Sequence, residues 1–324
     1  MMMKHRILIS EKVAQETIDL LIENDISIKY GNSLLEKDII KDIQGCDAVI
    51  TRTMPITQNI IESAPQLRII AKHGVGCDAI DLNAARKNGI PVVYAPGSNS
   101  QSVAEHTMAL VLACSRHLRE TNMAYSRGNY NIKNSIEFSE ITGKTLALIG
   151  FGNIARRVAK MAHFGFEMKI IAYDIKKNII NVPDYVNIYD DINTVCSQGD
   201  YICIHVPGTE QNKDLIDCEL LEKMKNTAFL INTSRGTVVN SASLFSAVEN
   251  HIIAGAGLDV SDPEPVNIGS PFFANPNIIL TPHSAASSKE SMIRMGKMAV
   301  QGILDYFAGK EPQYVANPEL FTTI

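Results

Sequence analysis

"TLALIGFGNIARRVAK", residues 145–160, decides how this chain is read. The run 145–149 is short and largely aliphatic, as a buried strand is. It passes into Gly150-Phe-Gly152-Asn-Ile-Ala155 and then into a helical pattern. Strand, G-x-G-x-x-A turn and helix together form a phosphate cradle. Gly150 allows the tight turn, Gly152 lets backbone approach a pyrophosphate, and Ala155 allows the helix to pack on the strand, with the helix N-terminus facing the anion. A second strand-like run, "MKIIAYD" (168–174), ends in Asp174, 24 residues after Gly150. That is close to the place of an acid that accepts from a ribose 2′-hydroxyl. The stretch predicts a dinucleotide-binding unit, and Asp174, which repels a 2′-phosphate, favours NAD over NADP. Arg156 and Arg157, in the first turns of the helix, are expected to be mainly solvated. Lys176 and Lys177, just past Asp174, keep NADP open.

Strand–helix alternation extends both ways from this turn. Downstream, "DYICIHVP" (200–207), "AFLINTSRG" (228–236), "IIAGAGLDV" (252–260) and "NIILTPH" (277–283) read as strands. Upstream, "RILIS" (6–10), "ISIKY" (26–30), "DAVITR" (47–52), "LRIIAKHG" (67–74) and "IPVVYAPG" (90–97) do the same, with helical segments at 11–24 and 34–45. One long helix is expected over roughly 100–127 and a last one over about 287–309. Near-continuous apolar strands separated by helices predict parallel sheets covered on both faces. The 324 residues suit two such α/β units.

Composition narrows the function classes. Apolar residues make up 45% and charged residues 20%, the balance of a soluble globular chain. No long basic run marks a nucleic-acid footprint, and no apolar stretch is long enough to span a bilayer. The first residues, too short in their apolar part and without a cleavage site, are not expected to form a signal peptide. Six cysteines without a CxxC pair suggest reduced thiols and the cytoplasm. Eight scattered histidines offer no metal-ligand spacing, so no metal is expected.

Three ionisable residues follow three of the downstream strands: Arg235, Glu264 and His283. In open α/β sheets ligands bind beyond the carboxyl ends of strands. A guanidinium grips a carboxylate in a bidentate manner. An imidazole can protonate a carbonyl oxygen as hydride arrives, and a neighbouring carboxylate orients the imidazole and favours its charged form. The set suits hydride chemistry on a 2-keto acid.

"KHGVGCDAID" (72–81), "NSQSVAEH" (99–106), "LIGFGNIA" (148–155), "HVPGTEQNKDLID" (205–217), "LINTSRGTVV" (230–239), "GLDVSDPEP" (257–265) and "TPHSAA" (281–286) extend the pattern over essentially the whole chain. On these motifs the sequence resembles the D-isomer-specific 2-hydroxyacid dehydrogenases, the family that includes D-3-phosphoglycerate dehydrogenase and glyoxylate/hydroxypyruvate reductases. The resemblance implies two doubly wound parallel-sheet domains with a cleft between them. Residues 1–98 and 287–324 would form a discontinuous, flavodoxin-like substrate domain, and 99–286 the NAD-binding Rossmann domain. It implies Arg235, Glu264 and His283 as the catalytic trio, with His283 the acid/base. Gly150, Gly152, Asn153, Ile154, Asp174, Val206, Pro207, Thr233, Ser234, Asp259, His283 and Ala285 match cofactor-contact positions, Asp259 as holder of the nicotinamide carboxamide. Gly74, Val75 and Gly76 would offer amides to a substrate carboxylate, with Asn99 and Arg235 also at the substrate.

Arg52 and Lys72 match positions that face a phosphate in phosphoglycerate dehydrogenases, so 3-phosphoglycerate/phosphohydroxypyruvate is the first substrate expected. The alternatives are glyoxylate, hydroxypyruvate or another small 2-keto acid, and, in a different class, a non-catalytic NAD-sensing binding protein. Ala285 stands where the family often has glycine, and Asn212 where it commonly has threonine. Related formate dehydrogenases have glutamine where this chain has Glu264, which disfavours formate. The helix near 100–127 and the arm "YNIKNSIEFSE" resemble the family's dimerisation region, implying a homodimer through the cofactor domain. Ending at 324, the chain is expected to lack the C-terminal regulatory domain of serine-sensitive relatives.

Overall fold

The computed structural model describes residues 5–176 and 180–321. Lys177 lies outside the described residues. The chain divides into two compact units, one drawn from residues up to Asn99 and from Ser287 onward, the other from Ser100–Ala286.

The first unit is built on β1 (His5–Ile9), β2 (Ile26–Tyr30), β3 (Ala48–Thr51), β4 (Ile69–Lys72) and β5 (Val92–Val93). They form a parallel sheet in the order β2-β1-β3-β4-β5. Every residue of β3 and β4 is buried, which is why these strands read as unbroken apolar runs rather than alternating ones. The pleat sends successive side chains to opposite faces. Ile70 belongs to one core cluster, and Ile69 and Ala71 to the other. The helix Lys289–Phe307, capped by Ser288 Oγ accepting from the Ser291 N–H, covers the second face with Ala299, Val300 and Ile303.

The second unit is built on β6 (Thr145–Ile149), β7 (Lys169–Tyr173), β8 (Val186–Tyr189), β9 (Tyr201–Ile204), β10 (Phe229–Asn232), β11 (Gly255–Leu258) and β12 (Ile278–Leu280). All pairs are parallel, in the order β12-β11-β10-β9-β6-β7-β8. This is the doubly wound arrangement, with the order reversing between β6 and β9. Ala147 and Ile149 enter one core and Leu146 and Leu148 the other.

Three expectations are corrected. The segment 100–127 is two helices, Ser100–Ser115 and Leu118–Ser126, because His117 takes a left-handed conformation with φ 44° and turns the chain. The second of them buries none of its residues. The edge strand β8 escaped notice because "VNIY" is short and half exposed. Arg156 is only partly exposed, whereas Arg157 is exposed as expected. Its guanidinium donates to the carbonyls of Ile180 and Asn181 at 2.8 and 2.7 Å and lies 4.7 Å from the Phe151 ring centre, tying down the chain beyond β7.

Among the described residues no helix is long and apolar enough to cross a membrane, and no group of three or more His, Cys, Asp or Glu side chains could hold a metal ion.

Candidate active site

The cofactor cradle follows β6 at the point where strand order reverses. Gly150 has φ 93°, and a Cβ there would lie 2.8 Å from the His205 carbonyl oxygen and 3.0 Å from Val206 Cγ1, so the protein itself demands glycine. Gly152 is different. It has φ −86° and caps the helix Asn153–Phe166, and a Cβ on it would meet no protein atom within 4 Å. Open space in front of a helix N-terminus, kept clear by a glycine that packing does not require, fits a pyrophosphate. Ala155 is fully buried beneath. Asp174 ends β7 with one carboxylate oxygen accepting the Phe151 N–H at 2.8 Å and the other the Lys176 N–H at 2.9 Å. The acid is thereby held beside the glycine turn, where a ribose would sit. These residues fit NAD. Ile154 packs against the core beside the turn, and Val206 and Pro207 follow β9.

The turn after β10 carries Thr233, Ser234 and Arg235. Asn232 Oδ1 accepts from the Ser234 N–H and Oγ at 3.0 and 2.9 Å, and Asn232 Nδ2 donates to the Arg235 carbonyl at 2.9 Å. Thr233, nearly buried, shares a 2.9 Å hydrogen bond with Thr107. Arg235 Nη1 donates to the Ser234 carbonyl at 2.8 Å. Two glycines make room for this arginine. A Cβ on Gly208 would come within 2.6 Å of Arg235 Cγ, and one on Gly236 within 2.0 Å of the Ser261 carbonyl. The second contact presses the Arg235 turn onto the loop that carries Glu264.

His283 Nδ1 and Glu264 Oε1 are 2.6 Å apart, each side chain about two-fifths exposed (42% and 41%). Burial alone would raise Glu264. The hydrogen bond and positive charge of His283, a backbone hydrogen bond at Ser261 and the charge of Arg235 outweigh it, and the net shift is downward. The carboxylate therefore stays ionised beside the imidazole. The structure thus gathers Arg235, Glu264 and His283 on neighbouring turns at the carboxyl ends of β10, β11 and β12.

Glu264→Gln tests this coupling. Glutamine keeps the shape of the side chain but removes the charged acceptor that holds His283 Nδ1 at 2.6 Å, so kcat for keto-acid reduction is expected to fall about tenfold or more while NADH binding changes little. A kcat equal to that of the wild type would show that Glu264 does not hold His283 in place.

His283 stands in a left-handed backbone conformation, φ 50°, which a non-glycine residue adopts only when its surroundings enforce it. Asp259 enforces it. This aspartate is 1% exposed. Its backbone carbonyl accepts from the His283 N–H at 2.8 Å. Its carboxylate accepts from the Thr281 hydroxyl at 2.6 Å and from the Ser284 and Ala285 N–H groups at 2.9 and 2.8 Å. The carboxylate expected to meet a nicotinamide amide is thus buried inside the turn that presents His283. Ala285 is likewise buried, with its carbonyl accepting from Ser102 Oγ at 2.6 Å.

In the first unit, Arg52 and Lys72 close the adjacent strands β3 and β4, where Thr51 pairs with Lys72. Lys72 is 8% exposed and donates to the Arg52 carbonyl, so it supports the Arg52 turn from beneath. Arg52 Nη1 donates to the Lys12 carbonyl at 3.1 Å. Glu11, after β1, was not foreseen. Its carboxylate accepts the N–H groups of Arg52, Thr53 and Met54 and the Thr53 hydroxyl, all within 3.0 Å. Burial raises Glu11, yet these hydrogen bonds prevail and lower it. The Gly74–Gly76 loop begins at φ 158° for Gly74, and among the described residues no protein acceptor meets the amides of Val75 or Gly76. His73, beside it, is buried, with Nε2 against the Met292 carbonyl at 3.1 Å. Desolvation and the charge of Arg52 push its pKa down to about 4, so it is neutral. Asn99 is the last residue of this unit before the chain crosses.

Comparison with known proteins identifies the family. Residues 108–285 match the model of the D-isomer specific 2-hydroxyacid dehydrogenase, NAD binding domain. The chain is 36% identical over 307 residues to a hydroxypyruvate reductase of Thermotoga maritima, covering 93% of this chain and 98% of that one. It is 32% identical over 313 residues to a D-3-phosphoglycerate dehydrogenase of Archaeoglobus fulgidus, covering 96% of this chain but only 59% of the relative. Among solved structures, a protein of Thermus thermophilus superimposes with TM-score 0.87 at 31% identity, covering 96% of this chain and 99% of that one. The chain belongs to the D-isomer specific 2-hydroxyacid dehydrogenase family. Its class is that of NAD-dependent oxidoreductases acting on 2-hydroxy and 2-keto acids.

Proposed function

We propose that this protein reduces a short 2-keto acid to the D-2-hydroxy acid with NADH, hydroxypyruvate being the first candidate. The observation that carries the chemistry is the 2.6 Å contact between His283 Nδ1 and Glu264 Oε1 at the rim of the dinucleotide sheet. Glu264 holds Nδ1, which leaves Nε2 to give its proton to the substrate carbonyl oxygen. Bound NADH supplies the hydride to the carbonyl carbon. Arg235 holds the substrate carboxylate, Thr233 and Ser234 shape the cofactor edge, and His283 ends the step neutral. In the oxidative direction the same nitrogen takes the proton back.

The choice of a small acid over a phosphorylated one rests on the two cations of the first unit. Lys72 is committed to the Arg52 carbonyl, and the Glu11 carboxylate lies in the same turn. One guanidinium beside a carboxylate suits a hydroxyl tail better than a dianionic phosphate. Arg52 itself favours the second reading, phosphohydroxypyruvate. The ratio of kcat/KM for the two substrates decides, and preference for phosphohydroxypyruvate would overturn the first reading.

For the cofactor, NADH is expected to exceed NADPH at least tenfold in kcat/KM, about 1.4 kcal/mol. Asp174→Ser should narrow that ratio, and a wild type that prefers NADPH would count against Asp174 as the discriminating group. We further place the protein in the cytoplasm, since its six cysteines are all free thiols. We pair it as a homodimer through the helix Leu118–Ser126, where Leu118, Met123 and Tyr125 are exposed. A monomeric mass in solution would exclude the dimer.

A further inference from the structure

We propose that His106 is a positioning residue for His283, acting through Thr281 and Asp259. The inference rests on the reading of His283 as proton donor. His106 lies on the helix Ser100–Ser115, one turn after Ser102. Its Nε2 is 3.0 Å from Thr281 Oγ1 and 3.4 Å from Asp259 Oδ1.

The direction of these bonds follows from counting protons. A threonine hydroxyl has one. Thr281 Oγ1 is 2.6 Å from Asp259 Oδ1, a charged acceptor, and 3.5 Å from its next acceptor, the Leu258 carbonyl. The hydroxyl proton therefore goes to the carboxylate. Thr281 Oγ1 must then accept from its other neighbour, so His106 carries a proton on Nε2. A chain of hydrogen bonds results: His106 Nε2–H donates to Thr281 and Thr281 O–H to the Asp259 carboxylate, which also accepts from the N–H groups of Ser284 and Ala285, while the Asp259 carbonyl accepts from that of His283.

A carboxylate buried to this degree is stable only when its oxygens are met by donors. Without His106, Thr281 Oγ1 loses its donor and is free to turn from Asp259 toward the Leu258 carbonyl. The aspartate then loses its shortest hydrogen bond. The turn it holds contains His283 in a left-handed conformation, the one part of the loop with least intrinsic reason to stay in place. Ser102, on the same face of the helix, grips the Ala285 carbonyl, so the helix holds this turn at both ends. His106 need not touch substrate or cofactor to matter.

A double-mutant cycle on the full chain separates positioning from general stability. In the wild-type background His106→Ala is expected to lower kcat for hydroxypyruvate reduction roughly tenfold or more, as a small misplacement of a reacting group does. The dissociation constant for NADH should change less than about threefold. His106→Gln, whose amide can donate from nearly the same place, should restore most of the loss. In the His283→Ala background, His106→Ala should change kcat less than about twofold, because the group being positioned is gone. Equal losses in the two backgrounds, an unchanged kcat in the single variant, or a glutamine variant as impaired as alanine would each overturn the proposal. Near-normal kcat in His283→Ala alone would instead remove the proton-donor reading, and this inference with it.

Discussion

His283→Ala lowers kcat for keto-acid reduction at least ~10²-fold, the lower end of what a lost general acid costs, while NADH binds nearly as before. The expectation follows from how the histidine is held. Its ring nitrogen Nδ1 is fixed on Glu264 at 2.6 Å, its backbone on Asp259, and no described residue nearby offers Nε2 a competing hydrogen-bond partner. The whole turn presents one nitrogen outward. The part of the cofactor cradle for pyrophosphate and ribose lies on other turns, after β6 and β7, so most of the NADH affinity should survive the loss. Stopped-flow turnover together with NADH titration by fluorescence measures both quantities. A variant with near-normal kcat would mean that the proton comes from elsewhere.

Arg235→Lys is expected to reduce kcat/KM for the keto acid ~10- to 10²-fold, even though the charge is kept. A bidentate guanidinium–carboxylate pair contributes about 1.5–3 kcal/mol, and an ammonium cannot reproduce the fork. The surroundings are shaped for arginine: its stem fills the space left by Gly208, where a Cβ would lie 2.6 Å from Arg235 Cγ, and Nη1 is anchored on the Ser234 carbonyl. Lysine would leave that anchor without its donor. Initial rates at saturating NADH across a range of keto-acid concentrations report the change, and less than a threefold loss would show that Arg235 is not the carboxylate's partner.

The parts of the molecule that could be read from sequence are those in which local residues dictate local geometry. The G-x-G-x-x-A turn was legible because a glycine with positive φ, a small residue under a helix and an acid at the next strand end leave a pattern of fixed spacing. Arg235, Glu264 and His283 could be singled out because each lies on the turn that follows an apolar strand, and parallel strands put their ends on one edge. What could not be read depends on contacts between distant segments. Arg156 looks solvated in a helical pattern, yet it closes on carbonyls 24 and 25 residues away. Lys72 looks like a free cation at a strand end and is buried under Arg52. Glu11 gives no sign in its own neighbourhood that it will gather amides 41 to 43 residues downstream. Asp259 and His106 were visible as motif members, but the chain of hydrogen bonds that joins them to Thr281 exists only once the helix Ser100–Ser115 packs beside β10 and β11. The break at His117 was missed because apolar periodicity continues across it while a single backbone conformation does not.

The central claim is that this chain turns over 2-keto acids with NADH and is more than an NAD-binding protein that retains the trio. Loss of NADH absorbance on addition of hydroxypyruvate, glyoxylate, phosphohydroxypyruvate, pyruvate or branched 2-keto acids tests it most directly. The account predicts multiple turnovers, fastest with hydroxypyruvate, and faster with NADH than with NADPH. Tight NADH binding with no turnover of any of these acids would contradict it and leave the protein as a sensor of the cofactor.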